Sequence, residues 1–310
     1  MSVGNGADWL LPEFWRPGSG HEVDLKLLKA VSTPHLVDDV GHWRGRPLAW
    51  PVTEQDRMDA ALFVLAVHRP DLLLLHLFDL DGVQHERGPM TPEALRAVEE
   101  ADANLGRLLA ALEKSGALFV VVSDHGFLPV SRQLRPNVLL RSAGLITVGA
   151  DGKPTDWRAS FHANGGTATL RLKDPDDAEA RSRALSLFEA KLHEPASGLQ
   201  RILSASEAAS LGGVEEGAFV LDAATGFYFS GSLEGEWSNP SPSRGYHGYA
   251  PDRPEMTSSF LVLGPGLARR GDLGVIRMTE IAPAIAGYLG LSLGPETGSP
   301  LPIFEPPAKP

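Results

Sequence analysis

Cysteine is missing altogether from the 310 residues. Disulfides and thiolate metal sites are thereby excluded, so any metal would have to be held by carboxylate and imidazole. No run of twenty apolar residues occurs, so no segment reads as a membrane-spanning helix. Basic residues are scarce: 28 Lys and Arg stand against 39 Asp and Glu, giving a formal net charge of -11. With no Lys/Arg-rich run, the sequence argues against nucleic acid and anionic membrane as partners, because both require a positive footprint. A small anionic substrate would then need a local source of positive charge, and metal ions are one. The opening "MSVGNGADWLLPEFW" lacks the basic start and long apolar middle of an export signal. Without cysteine the redox compartment cannot be read, and localisation stays open.

Apolar residues make up 43% of the chain, enough to bury one large core or two smaller ones. The first fifty residues are rich in Gly, Pro, Trp and His and show little periodicity, which predicts mostly loop with one short helix. From Thr53, "EQDRMDAALFVLAVHRP" places apolar residues at helical spacing, and "DLLLLHLF" follows as a run short enough for a buried strand. "TPEALRAVEEADANLGRLLAALEKSG" has Thr91 to cap a helix, Pro92 at its first position and Gly116 as its stop. It leads into "ALFVVVSDHGF", a second apolar strand. Residues 130–245 change character: "TATLRL" reads as a strand, 176–193 as an amphipathic helix and "GAFVLDAATGFYFSG" as a hairpin. The style of the first half returns with "SSFLVLGPG" as a strand and "MTEIAPAIAGYLGL" as a helix. The pattern predicts an α/β fold, with a mostly parallel central sheet flanked by helices and a small α+β subdomain inserted at about 130–245 of a single 1–310 domain.

In such folds ligands gather at the carboxyl ends of strands. Three apolar runs end in or lead from chemistry: Asp79, Asp81 and His85 in "FDLDGVQH", Asp124 and His125 in "SDHG", and His247 in "GYHGYAPD". Two phosphate chemistries compete for the first. "FDLDGV" resembles the first motif of haloacid dehalogenase-type phosphatases, with Asp79 as nucleophile and Asp81 handling the proton beside Mg²⁺. That family also needs a downstream Lys and a later acidic pair after another strand. Neither is found, since Asp176 and Asp177 open a solvent-facing helix. The second reading uses all three clusters as a mixed carboxylate and imidazole set, which binds Zn²⁺, Mn²⁺ or Fe when thiolate is absent.

The phrases "DGVQHERGP", "VVVSDHGF", "GYHGYAPDRPEMTSSFLVLGPG" and "TEIAPAIAGYLGL...GSPL" together resemble the alkaline phosphatase superfamily, in its nucleotide pyrophosphatase/phosphodiesterase branch. The resemblance implies a metal-dependent hydrolase of phosphodiester or pyrophosphate bonds acting on a small phosphate ester or nucleotide. It makes Asp81, His85 and His247 the ligands of one divalent ion and Asp124 and His125 ligands of a second, with Zn²⁺ the expected metal and Mn²⁺ or Fe as alternatives. One ion then lowers the pKa of a Thr or Ser nucleophile and the other stabilises the leaving oxygen. Asp79 becomes a strand-end acid behind a ligand imidazole, and Asp102 a solvated one.

Family members carry an earlier strand ending in an Asp ligand and then the nucleophile at a helix N-terminus; no matching motif stands here, and "WLLPEFWRPGSG" is similar to the segment that follows that helix. The chain therefore reads as N-terminally incomplete. Asp8 and Thr33 are the first candidates for a displaced ligand and nucleophile, but neither ends an apolar strand. The expectation is one well-held metal, a weakened second site and little turnover. Other superfamily reactions stay open, namely phosphomonoester, phosphonate or sulfate ester hydrolysis and phosphomutase chemistry, as does a metal-binding chain without catalysis. His162 in "FHANGG" reads as an exposed loop residue that could instead face the cleft, and the aromatic stretch Trp237–Tyr249 as packing that could instead stack on substrate. Gly82, Gly126 and Gly248 adjoin the proposed ligands, where tight turns need a permissive backbone. Oligomeric state is not legible.

Overall fold

A computed structural model describes residues 6–12, 21–113, 115–213, 217–294 and 298–304. The chain divides into two compact units, one made of residues 1–107 with 123–258 and the other of 108–122 with 259–310.

The larger unit begins with helices, where mostly loop was expected. Helices α1 (His21–Val31), α2 (Leu36–Trp43) and α3 (Glu54–Phe63) enclose a core of Leu28, Leu36, Val37, Val40, Leu48, Ala60 and Phe63. The Gly, Pro and Trp of this region hid the helical spacing of Leu36, Val37 and Val40. Helix α3 starts as expected at Thr53, whose hydroxyl accepts the Asp56 N–H while the Asp56 carboxylate accepts the Thr53 N–H. "LLLLHL" is a correction: residues 72–77 form no named strand, with Leu72 and Leu74 52% and 72% exposed and Leu73 packed on the α1–α3 core. Apolar content alone gave that run a burial that only one of its faces has.

Next come α4 (Asp79–Arg87) and α5 (Pro92–Leu112), the latter capped by Thr91, whose hydroxyl accepts the Ala94 N–H. After β1 (Phe119–Val122), strand β2 (Leu128–Leu134) precedes α6 (Pro136–Ser142) and a hairpin of β3 (Ile146–Val148) and β4 (Pro154–Trp157). Then follow β5 (Ala159–Asn164), β6 (Thr167–Leu172), α7 (Ala178–Leu192), β7 (Leu199–Ser204), α8 (Ala205–Ser210), β8 (Phe219–Ala223), β9 (Gly226–Phe229), β10 (Ser238–Pro240) and β11 (Gly245–Tyr246). Strands β5, β6, β8 and β7 form an antiparallel sheet in that order, with α7 laid on it through Ala180, Ala184 and Phe188. "GAFVLDAATGFYFSG" is not the expected hairpin: β8 pairs with β6 and β7, while β9 pairs with β2. Two strands close in sequence turned to different partners because Leu221 and Phe229 each complete the same core from a different sheet.

The smaller unit holds β1 paired with β12 (Phe260–Leu263) and helix α9 (Ile281–Tyr288), with Ala284, Leu301 and Ile303 as its core. The α/β class expected from alternating helices and apolar runs holds. Strand direction is the new information: among the described strands only β2 and β9 pair in parallel. An apolar run reports burial on its faces, whereas direction depends on which strand lies alongside. No described helix is long and apolar enough to cross a membrane.

Candidate metal centre

Three elements of the larger unit converge. The first is α4, where the apolar run before it suggested a strand end and the structure has a helix. Its acidic residues Asp79 and Asp81 fall in the first turn, and His85 and Arg87 in the last, matching the helix dipole at both ends. The i, i+4 spacing of Asp81 and His85 sets both side chains on one face, with His85 Nε2 3.6 Å from Asp81 Oδ1. A buried carboxylate, Glu54, stands at the start of α4: its Oε2 accepts the Asp79 N–H at 3.1 Å, and its Oε1 accepts Asn104 Nδ2 at 2.9 Å. Asp79 is thus a neighbour of Glu54, and burial, then that neighbour, pushes its carboxyl above the usual range.

Strands β2 and β11 supply the rest. Their antiparallel register places Tyr246 opposite Leu128, so His247, one residue after β11, and His125, three before β2, come side by side. Their rings stack at 3.6 Å with planes 7° apart. The C-terminal end of α4 is tied to the same strand, because the Arg244 N–H donates to His85 O at 2.8 Å and His85 Nδ1 meets Gly245 O at 3.0 Å. A carbonyl only accepts, so Nδ1 of His85 carries a proton, and its Nε2 faces Asp81. His125 is held alike, Nδ1 against Gly126 O at 3.1 Å.

At the centre lies Asp81 Oδ1, buried and without a hydrogen-bond partner. Besides His85, it has His247 Nε2 at 3.7 Å and His125 Nε2 at 4.0 Å. Burial first, then the neighbouring His125 and His85, push the His247 imidazole down to about 4, so it is neutral near pH 7. A divalent cation shared by these Nε2 atoms and the Asp81 carboxylate would satisfy the oxygen that lacks a partner. Asp81, His125 and His247 can each point one donor atom so that all lie within 4.8 Å of one another. The donor set, imidazole and carboxylate with one orphaned oxygen, fits a divalent cation.

This triplet crosses the expected division of ligands into Asp81, His85, His247 and Asp124, His125. Asp124 is 76% exposed at its side chain, and among the ligand candidates its carboxylate meets only His125, at 3.3 Å.

A family model described as type I phosphodiesterase / nucleotide pyrophosphatase matches residues 13–250. The chain belongs to that family. Murine ectonucleotide pyrophosphatase/phosphodiesterase 5, solved as an inactive variant in complex with AMP, is similar at TM-score 0.57 and 19% identity, over 79% of this chain and 61% of that one. The human protein of the same name gives TM-score 0.56 and 17% identity over 85% and 72%. At these identities the likeness is one of fold. Short stretches also match 2,3-bisphosphoglycerate-independent phosphoglycerate mutases: 35% identity over 68 residues in Rhodopseudomonas palustris and 43% over 56 in Paracoccus denitrificans. Those stretches are 22% and 18% of this chain and only 13% and 11% of the mutases.

Other candidates of this phosphodiesterase-family chain lie apart from the triplet's chemistry. Thr33 spends its hydroxyl on backbone, accepting the Leu10 N–H at 2.8 Å and donating to Asp8 O at 3.3 Å. Asp8 and Asp102 are exposed. His162 is exposed, though on β5 and not a loop. Trp237 packs on Phe188 and donates its indole N–H to Ser197 O at 2.8 Å. Around the imidazoles stand Phe127 and Tyr246, the latter stacked on Tyr228 at 4.0 Å. Sequence reasoning missed Glu54 and Asn104, which support the site from positions with no motif of their own, and the carbonyl of Gly245, which holds His85 from inside the quoted motif.

Proposed function

We propose that the chain carries the metal centre of a phosphodiester or pyrophosphate hydrolase, with Asp81, His125 and His247 as the compact donor set, His85 beside them and Asp124 reaching toward a second ion. The observation that carries this reading is the buried, unpartnered Asp81 Oδ1 with the Nε2 atoms of His85, His125 and His247 3.6, 4.0 and 3.7 Å away. A bound divalent ion, Zn²⁺ by the chemistry of the donors, supplies positive charge for phosphoryl oxygens in a chain of net charge -11. The residues of this chain orient that charge: His85 and His125 are fixed in tautomer by Gly245 O and Gly126 O. The substrate class, a small phosphate ester or nucleotide, is supported by the family and by the lack of a Lys/Arg-rich run in a sequence of net charge -11.

Thr33 Oγ1 is already engaged with residues 8 and 10, which favours a second reading in which these 310 residues bind metal without turning over. Purified chain incubated with Zn²⁺ or Mn²⁺ and bis(p-nitrophenyl) phosphate separates the two. Hydrolysis that vanishes in His247→Ala supports the first reading, and tight metal binding without hydrolysis supports the second. Hydrolysis or metal affinity left unchanged by His247→Ala overturns the site.

A further inference from the structure

His247 itself has no side-chain hydrogen bond among the described residues; its ring is surrounded by other rings and Asp81. The direction of its imidazole is therefore set by the backbone of the loop that carries it. That loop is gripped from two sides by the β5–β6–β8–β7 sheet. On one side, the Gly166 N–H donates to His247 O at 2.8 Å and Thr167 Oγ1 donates to Gly248 O at 2.9 Å. On the other stands Asp222 on β8, 0% exposed. Its Oδ2 accepts from Arg201 Nε at 3.0 Å and forms an ion pair with Arg253 Nη2 at 3.0 Å, and its Oδ1 accepts the Ala250 N–H at 3.5 Å. Arg201 then reaches Asp252 with both terminal nitrogens, at 2.9 and 2.5 Å. Arg253 lies over the Tyr249 ring at 4.9 Å. So Ala250, Asp252 and Arg253, all within six residues of His247, are held by one buried carboxylate and one arginine.

Burying a carboxylate against two arginines is a poor way to gain stability, since well-packed apolar side chains commonly serve as well. What the network adds is a fixed direction for the loop. We propose that Asp222, acting with Arg201, is a positioning residue for His247 and sets the affinity and geometry of the metal centre. This inference rests on the metal-centre reading above.

The test uses the full chain and Co²⁺ as probe, with affinity read by calorimetry, ligand geometry by the visible d–d absorption and folding by the melt without metal. Arg201→Met cuts the link between Asp222 and Asp252 but leaves Arg253 on Asp222. It is expected to keep a cooperative melt, to weaken Co²⁺ about 10- to 100-fold, the usual effect of groups that orient metal ligands, and to alter the d–d spectrum. Asp222→Asn is expected to do at least as much, and Arg201→Lys to recover part of the affinity. Asp156→Ala, which breaks an exposed pair between β4 and Lys173 just after β6, is expected to leave binding unchanged. If Arg201→Met and Asp222→Asn bind Co²⁺ as wild type does while His247→Ala loses it, the positioning role is wrong and the metal centre stands. If both variants lose their cooperative melt, the network is a folding element and the proposal fails. If the wild type and His247→Ala bind alike, the metal reading beneath it fails.

Discussion

Two glycines beside proposed ligands invite the same expectation from sequence and have opposite fates in the structure. Gly248 follows His247 with φ +77°, and a Cβ there would sit 2.0 Å from Asn164 O. Left-handed backbone costs a side chain about 1–2 kcal/mol, and overlap with a backbone oxygen adds about 1–3 kcal/mol more. Gly248→Ala is expected to lower unfolding free energy by about 3 kcal/mol in urea melts and to weaken metal binding in the surviving protein. Gly82 lies inside α4, and a methyl carbon added there would meet nothing within 4 Å. Its helical backbone needs no glycine, so Gly82→Ala is expected to stabilise by about 0.5–1 kcal/mol. A urea midpoint that falls for Gly82→Ala would show that α4 is not helical at this point. Gly126 sides with Gly248, since a Cβ there would stand 1.9 Å from Glu255 O.

At the scale of elements, α3 shows how local chemistry was legible and α4 how it was not. Helical spacing after Thr53 is legible in the sequence, and the structure adds the capping box that Thr53 and Asp56 form at its start. The structure adds a cost that no motif shows: Asp56 is buried against Arg44, which also bonds Asp59 at 3.2 Å. Burial raises the Asp56 carboxyl, but the Thr53 N–H, Arg44 and the Thr53 hydroxyl outweigh it and leave the pKa below the usual value. A depressed carboxylate contributes stability that is whole above the unfolded value, about 4, and is lost as pH falls through the folded one. Asp56→Ala is expected to cost about 3 kcal/mol at pH 7, because it leaves a buried guanidinium short of a partner. The gap between variant and wild type in urea midpoint should then narrow below about pH 4. In α4, by contrast, the apolar run ending at Phe78 suggested a strand, and the helix that follows has no side-chain cap of its own; Glu54, twenty-five residues earlier, does that work. Long-range support of this kind leaves no periodicity to read. Hence Asp81, His85, Asp124, His125 and His247 could be picked out by residue type and spacing, whereas their grouping could not. That grouping depends on the β2–β11 register, which stacks His125 on His247 and brings both to Asp81.

For the molecule as a whole, the proposed metal centre around Asp81 would tie metal binding to folding stability. A ligand that binds only the native state adds RT ln(1 + [L]/Kd), about 2.7 kcal/mol at a hundredfold excess over Kd. Zn²⁺ at that excess is expected to raise the melting temperature, a chelator to reverse the rise and His247→Ala to abolish it. The net charge of -11 sharpens the test. A negative field concentrates divalent cations near the chain, and salt screens it, the Debye length shrinking from about 30 Å at 0.01 M to about 8 Å at 0.15 M. Zn²⁺ affinity measured by calorimetry should therefore fall by about 2- to 5-fold across that range, while the half-buried donors keep most of the binding free energy. A Kd that collapsed a thousandfold with salt would instead describe ions condensed on surface carboxylates. In that event Asp81 Oδ1 and the three imidazoles around it would not be what holds the metal.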